Sequence, residues 1–563
     1  MKEKIITLLA KHLKKDSSSI ISLLEVPQDP THGDYAFPCF ILAKEMKKNP
    51  VQIAQELANS LKLLKEIEKI EAKGPYLNFF INRALLAQQT LKTILKEKEK
   101  YGSQKIKGKV VIEFPSPNTN KPLHLGHARN IVLGQAVTNL LNFVGNDVQV
   151  ANLYNDRGVH ICKSMVAYEK FGKGESPEKA KSKTDHFVGD YYVKFTQEAK
   201  DNKQFEEEAQ ECLKKWESGD KKTRELWKKM NSWAFKGFEE TYKLFDLKIK
   251  HNYYESNIYN KGKEIVFEGV KKGIVKKKED GAFFIDLTPY DMGEKILLRA
   301  DGTSIYTTQD IYLALLKYTE FKFDKSLYVS ASEQNYHFKA LFKILELLGY
   351  SWAKNLTHLS YGMVNLESGR MKSREGNVVD SDNLISDMKM MANEEIEKRH
   401  KEIPLKEKEH RSHTIVMAAL RYYFLKVDRT KDVTFKPEES LKFEGDTGPY
   451  LLYTYARAQS ILSKAKSAKA KKQALPQLSD KEKQLIIHLT KFPQIVQSAY
   501  ASYAPNLIAN YSYQLAQSFN EFYHSHQVIG SPEEAFRLKL VQASSLVLKN
   551  SLSLLGIPVL EKM

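Results

Sequence analysis

Two histidines and a glycine, in His124-Leu125-Gly126-His127, stand inside a stretch that could hold a phosphate chain, VVIEFPSPNTNKPLHLGHARN from Val110 to Asn130. Imidazoles three residues apart on a helix point the same way, so both can face one phosphate chain. Gly126 removes a side chain where a nucleotide would lie against the backbone. Such a group would stabilise charge on a transferring phosphoryl group mainly by position and electrostatics. A bare H-x-G-H is equally compatible with a helix start that carries two exposed histidines. The flanking sequence favours the phosphate reading.

Those flanks must position the histidines. Val110, Val111, Ile112 and Phe114 form an apolar run that predicts a buried parallel strand, and a Pro/Asn/Ser-rich loop leads from it to His124. Val132, Leu133, Ala136, Val137, Leu140 and Val144 then recur at helical spacing until Gly145-Asn146 ends the helix. Val148 to Leu153 completes a strand–helix–strand unit. The histidines therefore fall where a strand hands over to a helix N-terminus, the place where a doubly wound sheet binds phosphates.

The 563 residues correspond to about three or four domains by the usual length prior. A hydrophobic content of 42% can fill real cores, and a formal charge of +18 suits a polyanionic partner such as RNA. Ribosomal and membrane-surface proteins are basic too, so charge alone does not choose. Cys39, Cys162 and Cys212 share no metal-ligand spacing and leave one over in any disulfide scheme, which fits a reducing cytoplasm. The opening MKEKIITLLAKHLKK places Ile5, Leu8, Leu9 and Leu13 at helical spacing, an amphipathic helix and not a signal peptide. No uncharged apolar run reaches the roughly 18 residues needed to span a bilayer. The expectation is a cytoplasmic monomer, off the membrane and with no resident metal.

The run Glu113-Phe-Pro-Ser-Pro-Asn-Thr-Asn-Lys-Pro-Leu-His-Leu-Gly-His127 closely resembles the signature of class I aminoacyl-tRNA synthetases, and in its full form that of the arginyl members. Arg299-Ala-Asp-Gly-Thr-Ser-Ile-Tyr-Thr-Thr-Gln-Asp310 resembles the family's D-G-T-x-x-Y-x-T-x-D segment, and Tyr254-Glu255-Ser256 its E-S pair. The resemblance implies that Tyr306, Asp310 and Glu255 contact the amino acid. A guanidinium is planar, permanently charged and offers five donors, so paired carboxylates are what a specific pocket should supply. Ser116 and Asn118 would face the substrate's ammonium and carboxylate, Glu113 would support the ammonium side, and Gln334 would close the pocket. His124, Gly126 and His127, with Gly362, Met363 and Val364, would hold ATP, which enters with Mg2+. The segment Gly369-Arg370-Met371-Lys372-Ser373-Arg374 resembles the family's mobile loop but departs from K-M-S-K-S: Arg370 replaces the first lysine and the last is not kept. In such members a lysine before the histidines takes over, here Lys121. Lys121, Lys372 and Arg374 would share the contacts to the leaving pyrophosphate. The family usually shows an aromatic at Arg157, which receives no role.

The implied fold is α/β: a doubly wound Rossmann-like catalytic domain over 109–400 with a helical insertion at about 163–244, where Trp216, Trp227 and Trp233 are packing anchors. An N-terminal α+β appended domain would cover 1–108 and bind the tRNA elbow through Asn78, Phe79 and Phe80; ordinary strand packing explains the two phenylalanines equally well. A C-terminal all-α anticodon-binding bundle would cover 401–563 and use Tyr453, Arg457, Tyr511 and Met563, with core packing the competing explanation for the tyrosines. Asp280-Gly281 predicts a hairpin turn. The activity implied is ATP-dependent joining of L-arginine to its tRNA through an adenylate. The rivals are another class I synthetase or a nucleotidylyltransferase, and a non-catalytic tRNA-binding paralogue.

Overall fold

The computed structural model describes residues 1–366, 379–399, 402–465 and 477–563. Five strands carry the site: β1 (Lys109–Glu113), β2 (Asp147–Tyr154), β3 (His251–Tyr254), β4 (Lys325–Ala331) and β5 (Leu356–Tyr361). They form one sheet in the spatial order β5-β4-β1-β2-β3, and every neighbouring pair is parallel. The chain steps outward from β1 in one direction through β2 and β3, then returns to the other side of β1 for β4. The order thus reverses beside β1, which opens a crevice at the carboxyl ends of β1 and β4.

The apolar run at Val110 to Ile112 is buried on both faces, as a central parallel strand requires. Helix α1 (Leu125–Phe143) follows β1 and ends before Gly145, whose φ is +106°. It approaches the sheet closely because Gly134 has no side chain: a Cβ there would stand 2.5 Å from the ring of Phe114, itself 1% exposed. Helices α3 (Tyr306–Phe321) and α4 (Asn335–Leu347) cover the sheet through Ile311, Leu341 and Ile344.

Between β2 and β3 lie four longer helices, Val159–Phe171, Thr184–Asp201, Gln204–Ser218 and α2 (Lys221–Leu244). Their core holds Met165, Phe187, Phe195 and Phe205. Trp216 is 1% exposed, and the Trp227 indole donates at 2.6 Å to the carbonyl of Asp156, so these helices are tied to the end of β2. The Asp280-Gly281 turn joins Val275–Lys277 to Phe283–Asp286, to which Glu294–Leu298 adds a third antiparallel strand. The C-terminal region is helical: Leu405–Leu425, Gly448–Lys464, Asp480–Ser502, Pro505–Ser525 and Glu534–Leu554. No helix among the described residues is long and apolar enough to cross a membrane.

Contacts divide the chain into two compact units, one of residues 1–101, 458–491 and 515–547, the other of 102–457, 492–514 and 548–563. In the first, strands Tyr35–Pro38, Ile67–Lys73 and Tyr76–Ile81 form an antiparallel sheet with the last in the centre, packed on helices that supply Ile5, Leu9, Ile53 and Leu57. Strand alternation corrects one expectation. Phe79 is fully buried on one face and Asn78 is 3% exposed on the other, so neither offers a surface to a base; Phe80, on the same face as Asn78, is half-exposed beneath the Lys69 ammonium. Tyr511, in the second unit, is likewise a core residue, 3% exposed against Phe492. Tyr453 is exposed with the Arg457 guanidinium stacked 4.8 Å from its ring, and Met563 is half-exposed.

Gly134→Ala is expected to cost about 1–3 kcal/mol by forcing α1 away from Phe114. The check is the urea unfolding midpoint, and Phe114→Leu in the Gly134→Ala background should recover part of the loss.

Candidate active site

Helix α1 begins with unpaired backbone donors, and its own histidines satisfy two of them. The His124 Nδ1 accepts from the amide of Gly126 at 3.1 Å, and the His127 Nδ1 accepts from the amide of His124 at 3.1 Å. The rings lie 3.9 Å apart. A Cβ on Gly126 would meet the His124 ring at 2.9 Å, so the fold-back of that ring requires glycine. Burial, then the Lys121 charge, lowers His124 to about 4; burial and the neighbouring His124 push His127 well below its usual value. Both rings are neutral at pH 7. With each Nδ1 committed as acceptor, the proton of each sits on Nε2, which leaves two N–H donors beside the positive end of α1. Lys121, half-buried and lowered by that burial, adds the cation, and its charge is felt by His124, His127 and His160.

The far wall is the end of β5. Arg129, 2% exposed, lies two residues beyond His127 and donates to four carbonyls: Gly362 at 2.5 Å, Met363 at 3.1 Å, Arg429 at 3.3 Å and Lys431 at 2.8 Å. Gly362 is needed here because a Cβ would strike the Lys431 carbonyl carbon at 2.4 Å. The Met363 amide donates to Asp432 at 2.7 Å, and its carbonyl also accepts from the Val433 amide at 2.9 Å. Met363 therefore has no spare main-chain group and presents its side chain, 40% exposed. Val364 opens a parallel ribbon with Val433; in that register Val433 bonds Met363, so the amide and carbonyl of Val364 face the other edge. Lys372 and Arg374 lie outside the described residues.

Carboxylates gather at the ends of β2 and β3. Glu255, the first residue after β3, is 2% exposed, and one of its oxygens has no hydrogen-bond partner. Burial raises it to about 8, against the pull of the Arg157 charge; Asp156 and Asp310 push it further up and Gln309 hydrogen-bonds it. Asp156 holds the short helix Glu255–Ile258 by accepting from the Ser256 amide at 2.8 Å and hydroxyl at 2.7 Å. Asp310, on α3, is half-exposed and pairs with the His337 imidazole at 2.6 Å. Tyr306 opens α3, exposed, with its hydroxyl 3.8 Å from where a Gly158 Cβ would be. Arg157 is drawn off by the Glu217 carboxylate and stacks on Tyr259 at 3.9 Å.

The loop after β1 is pinned to β2. Ser116, at φ +52°, donates its amide to Asn152 at 3.0 Å and accepts on its hydroxyl from Leu153 at 3.3 Å. Asn118 bridges Asn155 and leaves its side chain exposed; Gln334, just beyond β4, is exposed too. Glu113 is different: its carboxylate pairs at 2.5 Å with Lys317, a fully buried ammonium that also lies 3.8 Å from the Tyr328 ring. Burial alone would lower Lys317, but Glu113 and Tyr328 outweigh it and hold the lysine charged. Glu113 thus supports the floor of the site from a structural pair, and a substrate ammonium would have to share it.

Paired neutral imidazoles and a group of carboxylates thus stand at the carboxyl edge of one parallel sheet. The profile described as tRNA synthetases class I (R), catalytic domain, matches residues 90–436; those of the arginyl tRNA synthetase N terminal domain and the DALR anticodon binding domain match 1–81 and 451–563. The arginine–tRNA ligase of Treponema denticola is 43% identical over 557 residues, covering 96% of this chain and 94% of its own length, and that of Bacteroides thetaiotaomicron is 42% identical over 562, with 94% of each covered. The solved arginyl-tRNA synthetase of Thermus thermophilus superposes with a TM-score of 0.81 at 28% identity over 100% of this chain and 99% of its own. The chain belongs to the arginyl-tRNA synthetases.

Sequence reasoning passed over Arg129, His160, Lys317 and His337. Arg129 alone left a trace, as the one formally charged residue of α1. Arg129→Lys should leave carbonyls of Gly362 or Lys431 unpaired, at about 1–3 kcal/mol each, and raise the KM for ATP. Unfolding midpoints and initial rates check both. Glu255 tests the linkage sign: held at about 8 when folded against 4.5 otherwise, its protonated form stabilises the fold below pH 4.5, and that contribution is lost as pH rises through 8. Glu255→Gln is therefore expected to gain thermal stability relative to the native chain between pH 5 and 8.

Proposed function

We propose that this chain joins L-arginine to its cognate tRNA at the expense of ATP, through an arginyl-adenylate, releasing AMP and pyrophosphate. The observation that carries the reading is the buried Glu255 carboxylate with an unpartnered oxygen, close enough to Asp310 for the two to repel, on the same sheet edge as the paired imidazoles. A buried acid that burial and a neighbouring carboxylate raise is stabilised in its ionised form by a cation, and a substrate guanidinium supplies the charge and the planar donors. Tyr306 would lie along the substrate side chain, Ser116 and Asn118 would face its carboxylate and ammonium, and Gln334 would close the mouth.

ATP arrives as its magnesium complex, the metal belonging to the substrate and offsetting phosphate charge. As the arginine carboxylate attacks the α-phosphate, negative charge grows on the phosphate oxygens. The Nε2–H donors of His124 and His127 and the Lys121 ammonium meet it without reorganising. Met363 and the outward edge of Val364 would receive the adenine. The acyl group then passes to the 2′-hydroxyl of the terminal ribose. Family members of this kind activate arginine with tRNA bound, and we expect the same here. Phe80, Tyr453, Arg457 and Met563 remain the surface candidates for tRNA. The three cysteines are free and buried, which suits a cytoplasmic enzyme, and we expect it to act as a monomer.

The deciding experiment is aminoacylation of total tRNA with each labelled amino acid. Arginine alone should be charged, and Asp310→Ala should abolish charging chiefly through the KM for arginine; charging with another amino acid, or none, overturns the reading. His124→Ala should lower kcat by about 10²–10³, as removal of one preorganised donor does, with His124→Asn less damaging. The KM for arginine should fall as pH rises towards 8 and Glu255 ionises, a slope that Glu255→Gln removes.

A further inference from the structure

One cluster of charged side chains has no part in the chemistry above. The Lys183 Nζ lies 2.6 Å from the Asp382 carboxylate, 2.6 Å from the Thr241 hydroxyl and 3.2 Å from the Asp185 carboxylate. The His186 Nε2 lies 3.2 Å from Asp380 and 3.4 Å from Asp382. Lys183, Asp185 and His186 sit at the start of the helix Thr184–Asp201, Thr241 is on α2, and Asp380 and Asp382 flank the start of α5 (Ser381–Arg399). The cluster thus joins the helices between β2 and β3 to the head of α5.

Donor atoms of Asp185, His186 and Asp382 fall within 4.8 Å of one another, a spacing a cation could use. The charges already present argue otherwise. Lys183 is inserted between the two aspartates. Burial would lower His186, but Asp380 and Asp382 outweigh it and raise the imidazole to about 10, so it is protonated and has no lone pair to give a metal. Three carboxylates face two resident cations, with Asp190 the further acid near His186.

The cluster's position gives it meaning. Asp380 caps α5 by accepting from the amides of Asp382 and Asn383, each at 2.9 Å. The same residue pairs antiparallel with His124: the Leu125 amide donates to the Val379 carbonyl and the Ser381 amide to the Leu123 carbonyl, each at 2.9 Å. Leu123 and Leu125 are buried neighbours of His124, so its backbone is held between them and the 379–381 segment. Around the His124 ring stand Lys121 and His127 from its own segment and Asp380 from across the bridge. Two backbone hydrogen bonds alone would fix this register weakly; the ion pairs of His186 and Lys183 anchor its far side.

We propose that Lys183, His186, Asp380 and Asp382 form a positioning network that holds His124 in register for its contact with the phosphate chain. The inference rests on the reading of His124 as a phosphate donor. None of the four touches substrate; each acts through the bridge to residues 123–125.

The test compares ATP–pyrophosphate exchange, with tRNA and arginine present, in the native chain and in His186→Gln, His186→Lys and Asp382→Asn. A displacement of about 1 Å can cost about 10²-fold in rate, so His186→Gln and Asp382→Asn are expected to lower kcat about tenfold or more. The KM for arginine should stay within about twofold, because the arginine pocket is not touched. His186→Lys keeps a cation opposite Asp380 and should restore most of the rate. If His186→Gln does not fold, Asp382→Asn carries the comparison, since it preserves shape. A rate unchanged in folded His186→Gln or Asp382→Asn, or a loss that His186→Lys does not relieve, overturns the network. His124→Ala as active as the native chain would instead overturn the reading of His124 on which the network depends.

Discussion

The N-terminus of α1 has amides that must find acceptors, and it finds them on the Nδ1 atoms of His124 and His127. That single requirement fixes much of the site. It folds the His124 ring back over position 126, which only glycine tolerates, and it commits each ring to one tautomer, so that each carries its proton on Nε2. Burial keeps the rings neutral. An imidazolium pair so close together beside Lys121 would repel; neutral donors at a positive helix end do not, yet they still stabilise an anion. The cation is left to Lys121, which sits near enough to be felt by both.

Charge management elsewhere follows the same economy. Glu255 is kept buried and raised, and Asp310 is shared with His337, so neither carboxylate is fully exposed to water. Arg157 bears on Glu255 electrostatically but is drawn away by Glu217 and by stacking on Tyr259, which leaves the Glu255 oxygen open. Glu113 takes the opposite course. Its partner Lys317 is fully buried, and the pair forms part of the sheet's packing.

How much of this was legible in the sequence depends on the range of the interaction. The strand, loop and helix around His124 are local: a doubly apolar strand, a glycine and a 3.6-residue period within one stretch of chain specify them, and the reversal of strand order beside β1 then places the crevice. The partners of Arg129, Glu113 and Asp310 lie 27 to 302 positions away, and no periodicity reports such pairings. Phe79 and Tyr511 fall in the core, the alternative that their sequence left open, for another reason. In a strand, the choice between Phe79 and Phe80 turns on a one-residue register, and in a helix whose faces are both partly apolar, a tyrosine such as Tyr511 reads alike for core and surface.

Arg129 draws together main-chain carbonyls at 362–363 and 429–431, the wall of the crevice and the connection that follows the helix Leu405–Leu425. Four hydrogen bonds from its two terminal nitrogens reach two carbonyls of one segment and two of the other, so Arg129 ties α1 and both segments into a single joint. Intervening stretches can therefore lengthen or shorten in related chains without disturbing the crevice, provided that the spacing of the joint itself is kept.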